Sequence, residues 1–325
     1  MKRRQFRPLL FALAALILLF LVSEGVLRLG RREPRSTTLF PDFDGSRVEA
    51  ISIARRATSV RLTRAATGWR VHSDTMSYGA DPDIVDRLIT ALADMEGSLV
   101  SHNPANHAVF EVDSVNGTSA AVLDAAGLPL ASLVIGKTAP SMAGTYLRRA
   151  DEPEVYLTDS FLRSIFSPNL RTWRNRKILS FEPSELRSIE LESPTESIRL
   201  ERTDADTPWQ MTHPEECLAD AATVDGMTRI LSHLTASDFA PDTLSPENAG
   251  LTPPQYRIMI ELASGESREV LAGGDPEAVR LNVQISGEKT TYILPRVSIE
   301  MVMKGPEELK AEIEDPVAPE SVETK

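Results

Sequence analysis

The chain has 325 residues, 42% hydrophobic and 25% charged, a globular composition long enough for two domains. Its single cysteine, Cys217, excludes an internal disulfide framework and any zinc site built on paired thiolates. The net charge of −12 combines +6 on residues 1–35 with −18 on residues 36–325. A body that acidic repels phosphate backbones, which argues against nucleic acid as a partner.

Residues 1–7 form a basic tail with Lys2, Arg3, Arg4 and Arg7. From Pro8 to Leu27 the chain is apolar apart from Ser23, Glu24 and Gly25. At about 1.5 Å per residue a helix of that length spans roughly 30 Å, the hydrocarbon thickness of a bilayer. The expectation is an uncleaved transmembrane helix over 8–27. A cleavable secretory signal is the alternative, although Ser23-Glu24-Gly25 is a poor cleavage site. The basic tail favours a cytoplasmic N-terminus. That places a single-pass protein in a membrane with its bulk outside the cytoplasm. Residues 28–46 then read as a linker.

Beyond the linker the sequence repeats. Val48–Ile53 aligns with Leu186–Leu191, Ser59–Arg64 with Ser197–Arg202, and Gly68-Trp69 with Pro208-Trp209. Ala80-Asp81, Val85-Asp86 and Leu88 align with Ala219-Asp220, Val224-Asp225 and Met227. Val155-Tyr156-Leu157 aligns with Thr291-Tyr292-Ile293, all in order and about 140 residues apart. The expected organisation is a module over 47–181, a second copy over 182–304, and a disordered acidic tail over 305–325.

Each copy opens with three short strands that alternate apolar and polar residues, with Trp69 and Trp209 closing the third and sitting between sheet and helix. An amphipathic helix follows, with Asp81-Pro82 as cap and first-turn proline in copy one, and Asp220 ahead of Val224, Met227, Ile230 and Leu231 in copy two. Strands are expected next near 119–124, 130–136, 145–150 and 154–158, then a short helix near 159–166 with its counterpart near 295–303. Strands on both sides of a helix indicate an α+β fold, a mainly antiparallel sheet with one packed helix per copy.

Candidate chemistry is sparse. His102 and His107, near Glu111, flank Asn103-Pro104, a loop that does not place two imidazoles on one helical face. His72 and His213 fall at equivalent strand ends, and His233 stands apart. Asp81, Asp86, Asp220 and Asp225 recur in both copies, where helix caps and first turns account for them without catalysis. Gly273-Gly274-Asp275-Pro276 reads as a turn rather than an anion loop, and Asn116-Gly117-Thr118 as a turn or a glycosylation sequon. Cys217 has no counterpart in copy one. The expectation is therefore a protein with no catalytic, cofactor-binding or metal-binding residues.

The anchor, Phe40-Pro41, Val60–Arg64, Gly68-Trp69 and the stretch Leu170–Phe181 together resemble a bacterial family known as domain of unknown function 4340. The resemblance covers nearly all of the chain beyond the anchor. Asn175 stands where such proteins usually carry an acid after the arginine. Members are commonly encoded beside ABC transporters of the gliding-motility type. The resemblance thus implies transporter subunits as partners, besides the bilayer held by residues 8–27. The expected function is a non-enzymatic, extracytoplasmic accessory or scaffold protein of an ABC-type transport complex. The alternatives are an envelope ligand-binding module for a glycan or peptide, with the cleft between the copies as its site and Trp69 and Trp209 as stacking platforms should they not be core as expected, and a hydrolase with a dispersed acidic site.

Overall fold

The computed structural model describes residues 36–73, 76–140 and 144–311. The chain divides into two compact units at Asn175/Arg176. The expected anchor lies outside the described residues, and among those described no helix is long and apolar enough to cross a membrane.

The first unit contains β1 (Ser36–Thr38), β2 (Ala50–Arg55), β3 (Thr58–Ala65), β4 (Gly68–His72), β5 (Ser77–Gly79), helix α1 (Pro82–Ala93) and β6 (Glu96–Ser101). The short helix α2 (His107–Phe110) follows, then β7 (Thr118–Leu123), β8 (Pro129–Thr138), β9 (Thr145–Arg149) and β10 (Val155–Thr158). Two more short helices, α3 (Leu162–Ile165) and α4 (Leu170–Trp173), complete it. The strands form one antiparallel sheet in the order β1-β6-β10-β9-β8-β7-β2-β3-β4-β5.

The second unit repeats this plan. Its elements are β11 (Leu186–Glu192), β12 (Ser197–Glu201), β13 (Gln210–His213), β14 (Cys217–Leu218), helix α5 (Ala221–Ser232), β15 (Asp238–Phe239), β16 (Tyr256–Leu262), β17 (Ser267–Gly273), β18 (Arg280–Ile285), β19 (Tyr292–Pro295), α6 (Arg296–Glu300) and α7 (Pro306–Leu309). The order β15-β19-β18-β17-β16-β11-β12-β13-β14 reproduces the first sheet from β6 to β5, strand for strand. The fold is thus mainly antiparallel β with a few short helices, in two sheets. The single long helix of each unit covers only part of one face.

Period-two alternation sets the inner face of each sheet. Ile51, Ile53, Val60, Leu62, Val71, Val122, Leu133 and Ile135 are buried in the first unit, and Val85, Leu88 and Leu92 of α1 pack on them. In the second unit Ile189, Leu191, Ile198, Leu200, Ile258 and Ile260 meet Val224, Met227 and Leu231 of α5. Asp81 and Asp220 cap the two helices, accepting hydrogen bonds from the backbone N–H of Asp83 (3.0 Å) and Thr223 (2.8 Å). This satisfies donors that the first turn of a helix leaves open.

Three sequence expectations need correction. The linker does not extend to residue 46: Ser36–Thr38 pairs with β6 at the sheet edge, and Leu39 and Phe40 are buried behind it. Nor does disorder begin at 305. Leu309, in α7, is fully buried, and Lys310 bridges Ala219. In the first unit the same place is held by Trp173 and the Arg174–Ala80 bridge. Residues 312–325 lie outside the described residues. Finally, Trp69 is the second residue of β4 and Trp209 precedes β13, so neither closes its strand.

Candidate functional site

The face of the first sheet opposite α1 carries small side chains at its centre. Cross-strand pairing aligns His72, Arg61, Ser52, Ala121 and Ser132 in one row across β4, β3, β2, β7 and β8. A second row holds Ser59, Ala54, Ser119 and Val134. These residues line a trough of about 620 Å³ that also reaches Ser73 and Ala150. No carboxylate lines it. His72 shares a 2.8 Å hydrogen bond with the hydroxyl of Thr63, so one ring nitrogen is already engaged. Its other ring nitrogen has no orienting acid among the described residues, so this pair lacks the third member a nucleophile–base relay needs.

One side of this outer face is built up by the segment that runs from α2 into β7. Val112 joins Val134 and Val155 in a small buried cluster, with Phe110 tilted against Tyr146 at 4.7 Å between ring centroids. The Arg148 Nε donates to the Val112 carbonyl (3.2 Å), and the Arg163 Nε donates to that of Gly136 (2.7 Å). Arg163 also pairs with Glu111 at 2.6 Å, which clamps the segment down. A side chain at Gly136 would collide with the Phe110 carbonyl.

The second unit covers the equivalent face with charge. Glu190, Glu192, Arg199, Arg257 and Met259 stand where Ser52, Ala54, Arg61, Ser119 and Ala121 stand in the first sheet. Arg257 lies 3.2 Å from Glu192 and 3.0 Å from Glu269, and Arg199 lies 3.8 Å from Glu190. Glu201 bonds to Arg199 and holds its guanidinium in the charged form, further above its ordinary range. Long, mutually paired side chains fill the place of the trough and suit it to water, and a groove of about 410 Å³ remains farther along this face, lined by Ser188, Glu201, Gln210, Thr212 and Glu261. The first unit's trough is open by contrast.

The residues singled out from the sequence are dispersed. His102 reaches Glu154 (3.5 Å), His107 the carbonyl of Pro153 (2.9 Å), and Glu111 pairs with Arg163, so this trio does not converge. His72 and His213 do occupy matching positions, opposite Arg61 and Arg199. His233 bonds to Ser232. Asp86 lines a groove of about 750 Å³ that α1 shares with Ser164, Ile165 and Thr172, and Cys217 of β14 pairs with Met211. Asn116 donates to Asp113 within its own turn. Gly273 ends β17, where a Cβ would meet the carbonyl of Gly250; close backbone approach explains this glycine. Trp69 and Trp209 are 6% and 4% exposed, each beneath an arginine, and offer no stacking face. Arg174, which Asn175 follows, is buried over the ring of Tyr78 at 3.8 Å.

Ser52, Arg61, Ser119, Ala121 and Ser132 were not singled out by sequence. The signal was available: these are outward positions of aligned strands, and at all of them but Arg61 a small side chain stands where the second copy has a longer one, Glu190, Arg257, Met259 or Glu269. The arrangement can bind but offers no paired acid and base. Among the described residues no three metal-ligating side chains gather.

The family described as Domain of unknown function (DUF4340) matches residues 69–254, more than half of the chain and across the boundary between the units. No curated protein and no solved structure matches.

Proposed function

We propose, for a chain that belongs to the DUF4340 family of domains of unknown function, a non-enzymatic role as a membrane-anchored accessory protein. Its two units stand outside the cytoplasm and act as interaction modules for an ABC-type transport complex. The observation that carries this reading is the divergence of the two sheets. One copy fills the place of the trough with ion pairs, and the other keeps that place open, with hydroxyls and small residues. A face left unfilled in one copy of a duplicated fold is an economical way to gain a binding surface while keeping its scaffold. The apolar stretch Pro8–Leu27 and the basic residues around it support attachment to the inner membrane.

The test is to isolate the full-length chain in mild detergent from its native membranes and identify what accompanies it. Transporter subunits in constant proportion are the expected result. A chain that migrates alone under several detergents argues against the role.

The envelope-ligand reading loses its tryptophan platforms, because both indoles are buried, and would have to use the trough instead. The hydrolase reading rests on Asp86 and Asp225, which lie on helices of different units. Hydrolytic turnover of an envelope polymer that disappears when either is replaced by Asn would revive it.

A further inference from the structure

We infer that the trough of the first unit docks an acidic segment of a protein partner, with carboxylates set against Arg61 and the hydroxyls of Ser52, Ser119 and Ser132. The inference rests on the accessory role proposed above and names the surface and the chemistry of its occupant.

Charge is the first argument. Residues 36–175 carry 16 Asp and Glu against 13 Lys and Arg, yet no carboxylate lines the trough. Its polar side chains are Arg61, His72 and five serines, a set rich in donors. Arg61 forms no ion pair among the described residues, whereas Arg199, at the same place in the second unit, is held by Glu190 and Glu201. The cation of the first unit is thus available to an acid from outside. The hydroxyls of Ser52, Ser119 and Ser132 likewise have no hydrogen-bond partner among the described residues.

Shape is the second argument. Arg61, Ser52, Ala121 and Ser132 sit on four adjacent strands, so the row spans about 14 Å at the usual strand spacing. Donors spread over that length suit several acceptors along a polypeptide, not one small anion, which needs donors that converge. A lipid acyl chain would need an enclosed apolar slot, and this trough is open, with Arg61, His72 and five serines along its lining. Ala54, Ala121 and Ala150 keep the floor low, so a segment can approach the sheet closely.

The experiment introduces a photocrosslinking amino acid in place of Ser119 in the full-length chain in native membranes, with Arg257 of the second unit as the control position. The expected adduct at 119 maps to a partner segment with Asp and Glu in excess, and position 257 gives none. Arg61→Glu should lower the yield about tenfold, and exchanging the partner's acids for lysines should restore it. Ala121→Trp should block the adduct while circular dichroism melts stay as in the parent chain. An adduct with lipid, glycan or another copy of this chain overturns the inference. So does no adduct at 119, or a yield indifferent to Arg61→Glu. If transporter subunits still co-purify with both variants undiminished, the docking site is wrong and the accessory role stands. If no subunit accompanies the parent chain, the role itself falls.

Discussion

The guanidinium of Arg202 lies over the indole of Trp209, 4.7 Å from the ring centroid, and Arg64 repeats the contact over Trp69 at 4.8 Å. In both units the same arginine turns its Nε back to the carbonyl that opens the sheet, Leu186 at 2.8 Å and Val48 at 3.1 Å. The pair therefore ties the end of one strand, the first residues of another and the aromatic lid of the core. Burial leaves Trp209 Nε1 without an acceptor, so the indole contributes through its face and its area.

Arg202→Ala is expected to destabilise the second unit by about 2 kcal/mol, the sum of a cation–π contact and hydrogen bonds from a charged donor to carbonyls. Arg202→Lys should recover less than half, because an ammonium cannot reproduce the fork that also reaches Pro183 at 2.6 Å. Urea unfolding followed by circular dichroism measures both. Equal stability of the lysine variant and the parent would remove the fork from the explanation.

Gly136 and Gly273 occupy equivalent positions in β8 and β17, and in each a backbone carbonyl from a crossing segment sits where a Cβ would be. Gly136→Ala and Gly273→Ala should each cost about 3 kcal/mol, since backbone rather than a flexible side chain must move. Gly127, whose Cβ would meet open space, tests instead the strain of a positive φ of 76° and should cost about 1 kcal/mol as alanine. Thermal melts of the three variants give the order.

Leu309 is fully buried, and its carbonyl accepts from the Asp220 N–H at 2.8 Å, immediately ahead of α5. Leu309→Ala should cost about 2–4 kcal/mol, the usual range for a buried leucine. The exposed neighbour Glu307 should tolerate alanine within about 0.5 kcal/mol. Two equal values in denaturant titrations would return this segment to a tail.

Hydrogen bonds from the side chain and backbone of Thr223 hold the Asp220 carboxyl below the ordinary carboxylate value of 3.8. A depressed native value means that the cap's contribution is complete above the unfolded value and is lost as pH falls through the native one. The melting temperature should therefore drop between about pH 5 and about pH 3, more steeply in the parent than in Asp220→Asn, which keeps a capping oxygen but no titrating group. Parallel profiles in the two proteins would assign the acid sensitivity elsewhere.

Much of the fold could be read in advance because its signals are local. Alternation in Ser59–Arg64 and helical spacing in Ile84–Leu92 need no distant partner to be recognised. β6 escaped notice because Leu99 and Val100 are both substantially exposed, which blurs the two-residue period. The four-residue helix at Pro306–Leu309 escaped because one buried leucine among Glu, Lys and Pro carries no periodic signal. The trough escaped for another reason. Serine and alanine on a strand look like weak strand formers until pairing brings five strands side by side.

Taken alone, the sequence determined the duplication, the inner faces of both sheets, the two long helices with their aspartate caps, and the family. The first three depend on residues within a few positions of one another or on the chain compared with itself, and the family on short motifs spread along the chain. Only the tertiary structure decided that Ser36–Phe40 and Leu309 belong to the units, that both tryptophans lie under arginines, and that the trough is open in one unit while ion pairs fill its place in the other. Those outcomes depend on which strands become neighbours. Cross-strand pairing sets residues far apart in the chain side by side, about 5 Å apart, and no local pattern reports it.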